Sequence, residues 1–151
     1  MRFKHAVENT KGLEHAYRPG LQAIQRRDRR RISCRDSHTV TGSVDLDRAL
    51  TRLFPDDPRC DYGVGKTARA QPETVVWIEI HPASSHHIDE VLRKFDWLKN
   101  WLRTHAPQLD EMPQEFVWIA SGQVALRAGS KQLLNVASRG IRFAGSRHQL
   151  S

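Results

Sequence analysis

Residues 74–81 read Thr74-Val75-Val76-Trp77-Ile78-Glu79-Ile80-His81, a β-branched and aromatic run with apolar side chains on both faces of an extended chain. Such a run is a strand covered on both sides, and that places it at the centre of a sheet. One residue breaks the pattern. A carboxylate at Glu79 costs several kcal/mol in apolar surroundings unless a cation or hydrogen-bond donors compensate it. Period-two alternation puts Glu79 on one face with Trp77 and His81. A carboxylate and an imidazole therefore emerge together at the C-terminal end of a central strand, where α/β sheets place their sites. The alternative for Glu79 is a buried ion pair with an arginine.

Downstream, Pro82 closes the strand, Ser84 or Ser85 can cap a helix, and Asp89 and Glu90 suit that helix's first turn. The spacing predicts a helix over 86–105 with a buried stripe of Ile88, Val91, Leu92, Phe95, Leu98 and Leu102. Pro107 ends it. Phe116–Ala120 reads as a second buried strand, Ser130 opens a short helix to Ser138, Gly140 suits the position after its end, and Ile141–Phe143 is a last short strand. Upstream, Val44–Phe54 after Gly42-Ser43 reads as a helix with Leu46, Ala49, Leu50, Leu53 and Phe54 inward, stopped by Pro55. Past the turn Asp56-Asp57-Pro58, residues 59–64 form a short strand that begins a hairpin with 74–81. Strands separated by helices give an α/β layer fold.

The chain has 151 residues, 38% of them apolar, enough for one ordinary core. No stretch is long and apolar enough for a membrane span or a secretory leader, so a soluble, cytoplasmic protein with no membrane partner is expected. Two cysteines, Cys34 and Cys60, are too few for a disulfide scaffold. The net charge of +7 points to a polyanionic partner. Its distribution says more: residues 1–40 hold ten Lys/Arg against four Asp/Glu, residues 41–110 nine against eleven, and residues 111–151 five against two. The expected organisation is a basic N-terminal arm, 1–40, and an α/β domain, 41–151. Within the arm, Arg26, Arg27, Arg29, Arg30 and Arg31 form the densest basic run, suited to phosphates or simply to solvent. Part of the arm is expected to order only with a ligand, although Arg31–Arg35 has strand character.

Three motifs are weaker than they look. Gly63-Val64-Gly65-Lys66-Thr67 has the tail of a phosphate-binding loop, but Cys60 stands where the first glycine belongs and no helix comes after it, so a hairpin turn is expected. His86 and His87 point about 100° apart on a helix, and no further Cys or His has zinc spacing. Trp97 and Trp101 sit off the main stripe of their helix, as an exposed aromatic surface, for instance in a homodimer, or as a secondary packing face.

Asp61, on the strand expected to pair with 74–81, can converge with Glu79 on one ion, a turn or capping carboxylate being its alternative, and two hard oxygen ligands without thiolates favour Mg²⁺ or Mn²⁺. The order helix, strand bearing Pro58-Arg59-Cys60-Asp61, strand bearing Glu79-Ile80-His81, long helix, strand resembles the restriction-endonuclease-like, or PD-(D/E)XK, phosphodiesterase core over about residues 43–121. The resemblance implies a mixed central sheet flanked by helices and a metal-dependent nuclease, a hydrolase, with Asp61 and Glu79 as metal ligands. His81 occupies the position of the family's lysine and is a poorer fixed cation near neutral pH. Some members supply the lysine from the following helix. Lys94 is placed for that, on one helix flank with His87, although a solvated flank is its alternative. The preceding helix often adds a further acid, here Asp47, with Asp45 as a cap. The expectation is a Mg²⁺-dependent nuclease using Asp61, Glu79, His81 and Lys94. A non-catalytic nucleic-acid-binding or interaction protein on the same fold is the alternative.

Overall fold

In the computed structural model, which describes residues 2–150, the elements run α1 (Arg2–Glu8), α2 (Arg26–Arg29), β1 (Ile32–Ser33), β2 (Val40–Asp45), α3 (Leu46–Leu50), β3 (Tyr62–Lys66), β4 (Thr74–Ala83), α4 (Ile88–His105), α5 (Pro107–Asp110), β5 (Gln114–Val124), α6 (Lys131–Ser138), β6 (Ile141–Phe143) and β7 (His148–Gln149). Five strands form one mixed sheet in the order β2-β3-β4-β5-β6. The first three pair antiparallel, and β5 and β6 join parallel, each after a helical crossover. β1 and β7 make a separate parallel pair that ties residues 32–33 to residues 148–149.

The expected central strand is β4, third of five, and its alternation organises the core. Val75 and Trp77 face α4, meeting Val91, Phe95 and Leu98. Val76 and Ile78 face the other way, against Tyr62, Val64, Ile24, Ile32 and Leu150. Both faces are covered, the apolar arrangement the run 74–81 implied. Residues expected as a basic arm supply part of both layers: Phe3, Val7 and Leu13 on the α4 side, Ile24 and Ile32 on the other.

The helix expected over 44–54 is the main departure. Residues 40–45 are an edge strand, and only Leu46–Leu50 is helical. The strand is imposed from far along the chain: Ser43 and Arg18 exchange backbone hydrogen bonds, and the Tyr17 hydroxyl donates to the Thr41 carbonyl at 2.6 Å. Gly42 leaves room for the Tyr17 ring, which a Cβ would meet at 2.2 Å. Asp45, expected as a cap, caps α3 by accepting from the Arg48 amide at 3.0 Å. The glycines expected in a turn lie inside β3, a strand that begins a few residues later than the sequence suggested. A Cβ on Gly63 would stand 2.5 Å from the Trp77 ring.

β4 runs through Pro82 to Ala83, with its register against β5 breaking between those two residues, where a proline is tolerated. α4 starts at Ile88, and no serine side chain caps it; the Ser84 carbonyl instead accepts from the His87 amide at 3.0 Å. Trp101 belongs to its buried face at 2% exposure, with Trp97 stacked on it at 6.0 Å and 11°. The Trp97 indole donates to Asp57 at 2.9 Å, so the pair is a packing face. Ser130 caps α6 through the Leu133 amide, and Gly140 comes after its end with a φ of 79°, both as the sequence indicates.

Candidate functional site

Register builds the site. Tyr62 pairs with Ile78, so the residues just before β3 run beside Glu79 and Ile80. Asp61 accepts a 2.9 Å hydrogen bond from the Ile80 amide, and the Cys60 thiol donates to the Ile78 carbonyl. Glu79, the next residue after Trp77 on the α4 face, is fully buried. Two turns into α4, Lys94 reaches back to place Nζ 2.8 Å from Glu79 Oε2. His81 Nδ1 lies 3.3 Å from the same oxygen. Four expected residues thus come together, from β4, from α4 and from the position just before β3: Asp61, Glu79, His81 and Lys94. The compensating cation for Glu79 is a lysine, not an arginine, and Glu79 Oε1 has no hydrogen-bond partner among the described residues.

Burial, together with the nearby Glu79 charge, pushes the Asp61 carboxyl up to about 8, although its bond from Ile80 and Lys94 pull the other way. Burial opposes the charge on Lys94, yet Glu79 and Asp61 hold its ammonium above the ordinary lysine value. The hydrogen bond to Glu79 raises the His81 imidazole against its own burial, and Glu90 adds to this. The Cys60 thiol is pushed well up by burial and by both carboxylates, so its thiolate is suppressed.

Asp47 does not join this group. Its Oδ1 is held 3.1 Å from Arg59 Nε, and Arg59 also donates to the Phe54 carbonyl. Asp47 does line a cavity of about 410 Å³ that Asp61, Asp45 and Tyr62 share with Arg27, Arg30 and Arg31. Three arginines of the basic run therefore face the acidic wall. Arg26 and Arg29 do not line it, and Arg29 is turned to the Ile24 carbonyl. A neighbouring cavity of about 350 Å³ is lined by the same three arginines with Ser146 and Arg147. Arg147 lies far away in sequence and is delivered by the β1–β7 pairing.

Sequence reading also missed the groups that surround His81 on its other side. His81 Nε2 and His87 Nδ1 lie 3.1 and 3.5 Å from Glu90 Oε2, and the two imidazoles meet edge to face at 5.1 Å. The signal was hidden because His81 sits on a strand and the other two at a helix start. Only His87 and Glu90, three apart, share a helical spacing. Among the described residues, no helix is long and apolar enough to cross a membrane. Comparison with known protein families, with curated proteins and with solved structures finds no match to this chain.

Proposed function

We propose that this chain is a divalent-metal-dependent phosphodiesterase acting on nucleic acid, built on a restriction-endonuclease-like core. The order of elements supports the core: an antiparallel β2-β3-β4 with Asp61 at the head of β3 and Glu79 on β4, then α4 with Lys94, then β5 parallel to β4. The observation that carries the reading is the position of Asp61. Backed by the Glu79–Lys94 pair, it opens into the cavity that Arg27, Arg30 and Arg31 line. Acid for a metal and arginine for phosphate meet in one cleft.

The residues fit a hard divalent cation. Burial first, and then the nearby Glu79 carboxylate, hold the proton of Asp61 to about pH 8, and a buried carboxylate oxygen of Glu79 has no hydrogen-bond partner among the described residues. Asp61 and Glu79 would hold Mg²⁺ or Mn²⁺, which supplies polarisation of a phosphoryl oxygen and a more acidic bound water. The chain's own side chains do the rest. Arg27, Arg30 and Arg31 fix the phosphate backbone. Lys94 is the fixed cation nearest the carboxylates and offsets charge that gathers on the phosphoryl oxygens. His81, with Nδ1 3.3 Å from Glu79 Oε2, orients that carboxylate.

The test is incubation of the purified chain with single- and double-stranded DNA and RNA in Mg²⁺ or Mn²⁺. Cleavage that stops with chelator and is lost in Glu79→Gln and Asp61→Asn, both retaining wild-type circular dichroism, is expected. Equal cleavage by Glu79→Gln overturns the assignment. A second reading, a non-catalytic binder on the same core, is favoured by His81 in place of lysine and by the complete burial of Glu79 behind Asp61. It predicts salt-sensitive binding with no cleavage in any metal.

A further inference from the structure

The site beside the proposed magnesium centre has a different chemistry. His81 Nε2 and His87 Nδ1 are buried ring nitrogens without a hydrogen bond, and both face Glu90 Oε2. The three donor atoms all lie within 4.8 Å of one another. We propose that His81, His87 and Glu90 form a binding site for a divalent transition-metal ion of the zinc type, whose three ligands do not line the Asp61 cavity and which does not depend on the nuclease reading.

Donor geometry supports this. Tetrahedral coordination with bonds of about 2.0–2.1 Å places neighbouring donors about 3.4 Å apart. The two distances to Glu90, 3.1 and 3.5 Å, bracket that value, and the two ring nitrogens lie within 4.8 Å of each other. Two imidazoles and one carboxylate, with no thiolate, suit Zn²⁺, Co²⁺ or Ni²⁺ rather than Mg²⁺, which prefers oxygen ligands and keeps its waters.

The surroundings of His81 fit as well. Its Nδ1 lies 3.3 Å from Glu79 Oε2, so a proton on Nδ1 is accepted by a buried carboxylate and the Nε2 lone pair is left facing Glu90 and His87. A carboxylate behind a histidine behind an ion is a recurrent support for metal-binding imidazoles. Glu90 and His87 are partly exposed and give the ion a route from solvent. The start of α4 disfavours a cation by its dipole, but Glu90, Asp89 and Glu79 set three carboxylates against that modest cost. Three protein ligands leave one position for water or a substrate atom.

Without an ion, the same geometry is that of an imidazolium held between Glu79 and Glu90, and the experiment separates the two. The full chain is titrated with Zn²⁺ by calorimetry and with Co²⁺ by visible absorption, in the presence of excess Mg²⁺. One equivalent of Zn²⁺ and an intense tetrahedral Co²⁺ band are expected, with affinity falling at least about tenfold in His87→Ala and in Glu90→Gln. Both positions are partly exposed, and the His87 side chain makes no capping bond, so both variants are expected to fold. Asp61→Asn keeps the wild-type Zn²⁺ affinity. Absence of Zn²⁺ binding, affinity unchanged in both His87→Ala and Glu90→Gln, or affinity lost in Asp61→Asn instead, overturns the proposal.

Discussion

The phenol of Tyr62 donates a 2.6 Å hydrogen bond to Asp28, joining the first residue of β3 to the middle of the arginine run. The Gln25 amide donates in turn to the Tyr62 oxygen at 3.3 Å. Asp61, the metal-ligand candidate, is therefore the chain neighbour of the residue that fixes the phosphate-binding candidates. Burial and the Asp28 bond raise the phenol above the ordinary tyrosine value, so it stays protonated and remains the donor across the usual pH range. In Tyr62→Phe the Asp28 carboxylate loses this donor in a largely buried setting. A loss of about 1–3 kcal/mol in urea unfolding is expected. Nucleic-acid affinity is expected to fall as well, read by fluorescence anisotropy, although the arginines themselves are untouched.

The arginines should act by charge alone. Arg27 and Arg30 line both basic cavities, and neither is needed by the core. Each replacement by alanine should lower affinity for DNA and RNA of any sequence, and the plot of log affinity against log salt should lose about one unit of slope per arginine. Truncation of residues 1–40 is not an equivalent experiment, because Phe3, Val7, Leu13, Ile24 and Ile32 belong to the core. Arg31 is also a poorer choice, since it donates to the Ala120 carbonyl. A slope unchanged in Arg27→Ala/Arg30→Ala would show that phosphates bind elsewhere.

The Glu79–Lys94 pair invites a double-mutant cycle. Lys94→Met leaves Glu79 buried without its closest cation, a change that costs about 3–5 kcal/mol when a buried pair is broken from one side. Adding Glu79→Gln removes the stranded charge, so the double variant is expected to be more stable than Lys94→Met alone in chemical denaturation. His81 stays within reach of Glu79 and softens the single effect. Equal stability of Lys94→Met and wild type would mean that the pair carries no coupling.

How much of the molecule was legible in the sequence differs by element, for physical reasons. The run 74–81 and the stripe of α4 declare themselves because burial on both faces and a 3.6-residue period leave direct marks on composition. Glu79 was legible for the same reason, as the one residue its strand could not hold without a partner. β2 was not, because the helical pattern of Leu46, Ala49 and Leu50, real in α3, extends back over Val44 and Asp45, while the strand depends on Tyr17 and Arg18, more than twenty residues away. Trp101 escaped the stripe since α4 buries a wider face than its aliphatic residues mark. The placement of Arg147 beside Arg30 depends on the β1–β7 pairing, two residues long in each strand, which leaves almost no pattern to read.

Asp61 gives a prediction in pH. Its carboxyl is raised to about 8 in the folded chain from an ordinary value of 3.8, so between these limits the folded protein keeps a proton that the unfolded chain releases. Stability from this group is complete below about pH 4, declines as pH rises towards 8, and is level above that. The amide introduced by Asp61→Asn does not titrate, and its oxygen can still accept from the Ile80 amide. Asp61→Asn is therefore expected to match wild type near pH 4 and to melt several degrees higher at pH 8 in metal-free buffer. If Asp61 and Glu79 hold Mg²⁺ as proposed, the ion adds to the charge that Lys94 already sets against them, so saturating Mg²⁺ at pH 8 should raise the melting temperature of wild type and leave Asp61→Asn nearly unmoved. A variant that melts with wild type across the whole range, with or without Mg²⁺, would mean that Asp61 and Glu79 do not share a charge-sensitive site.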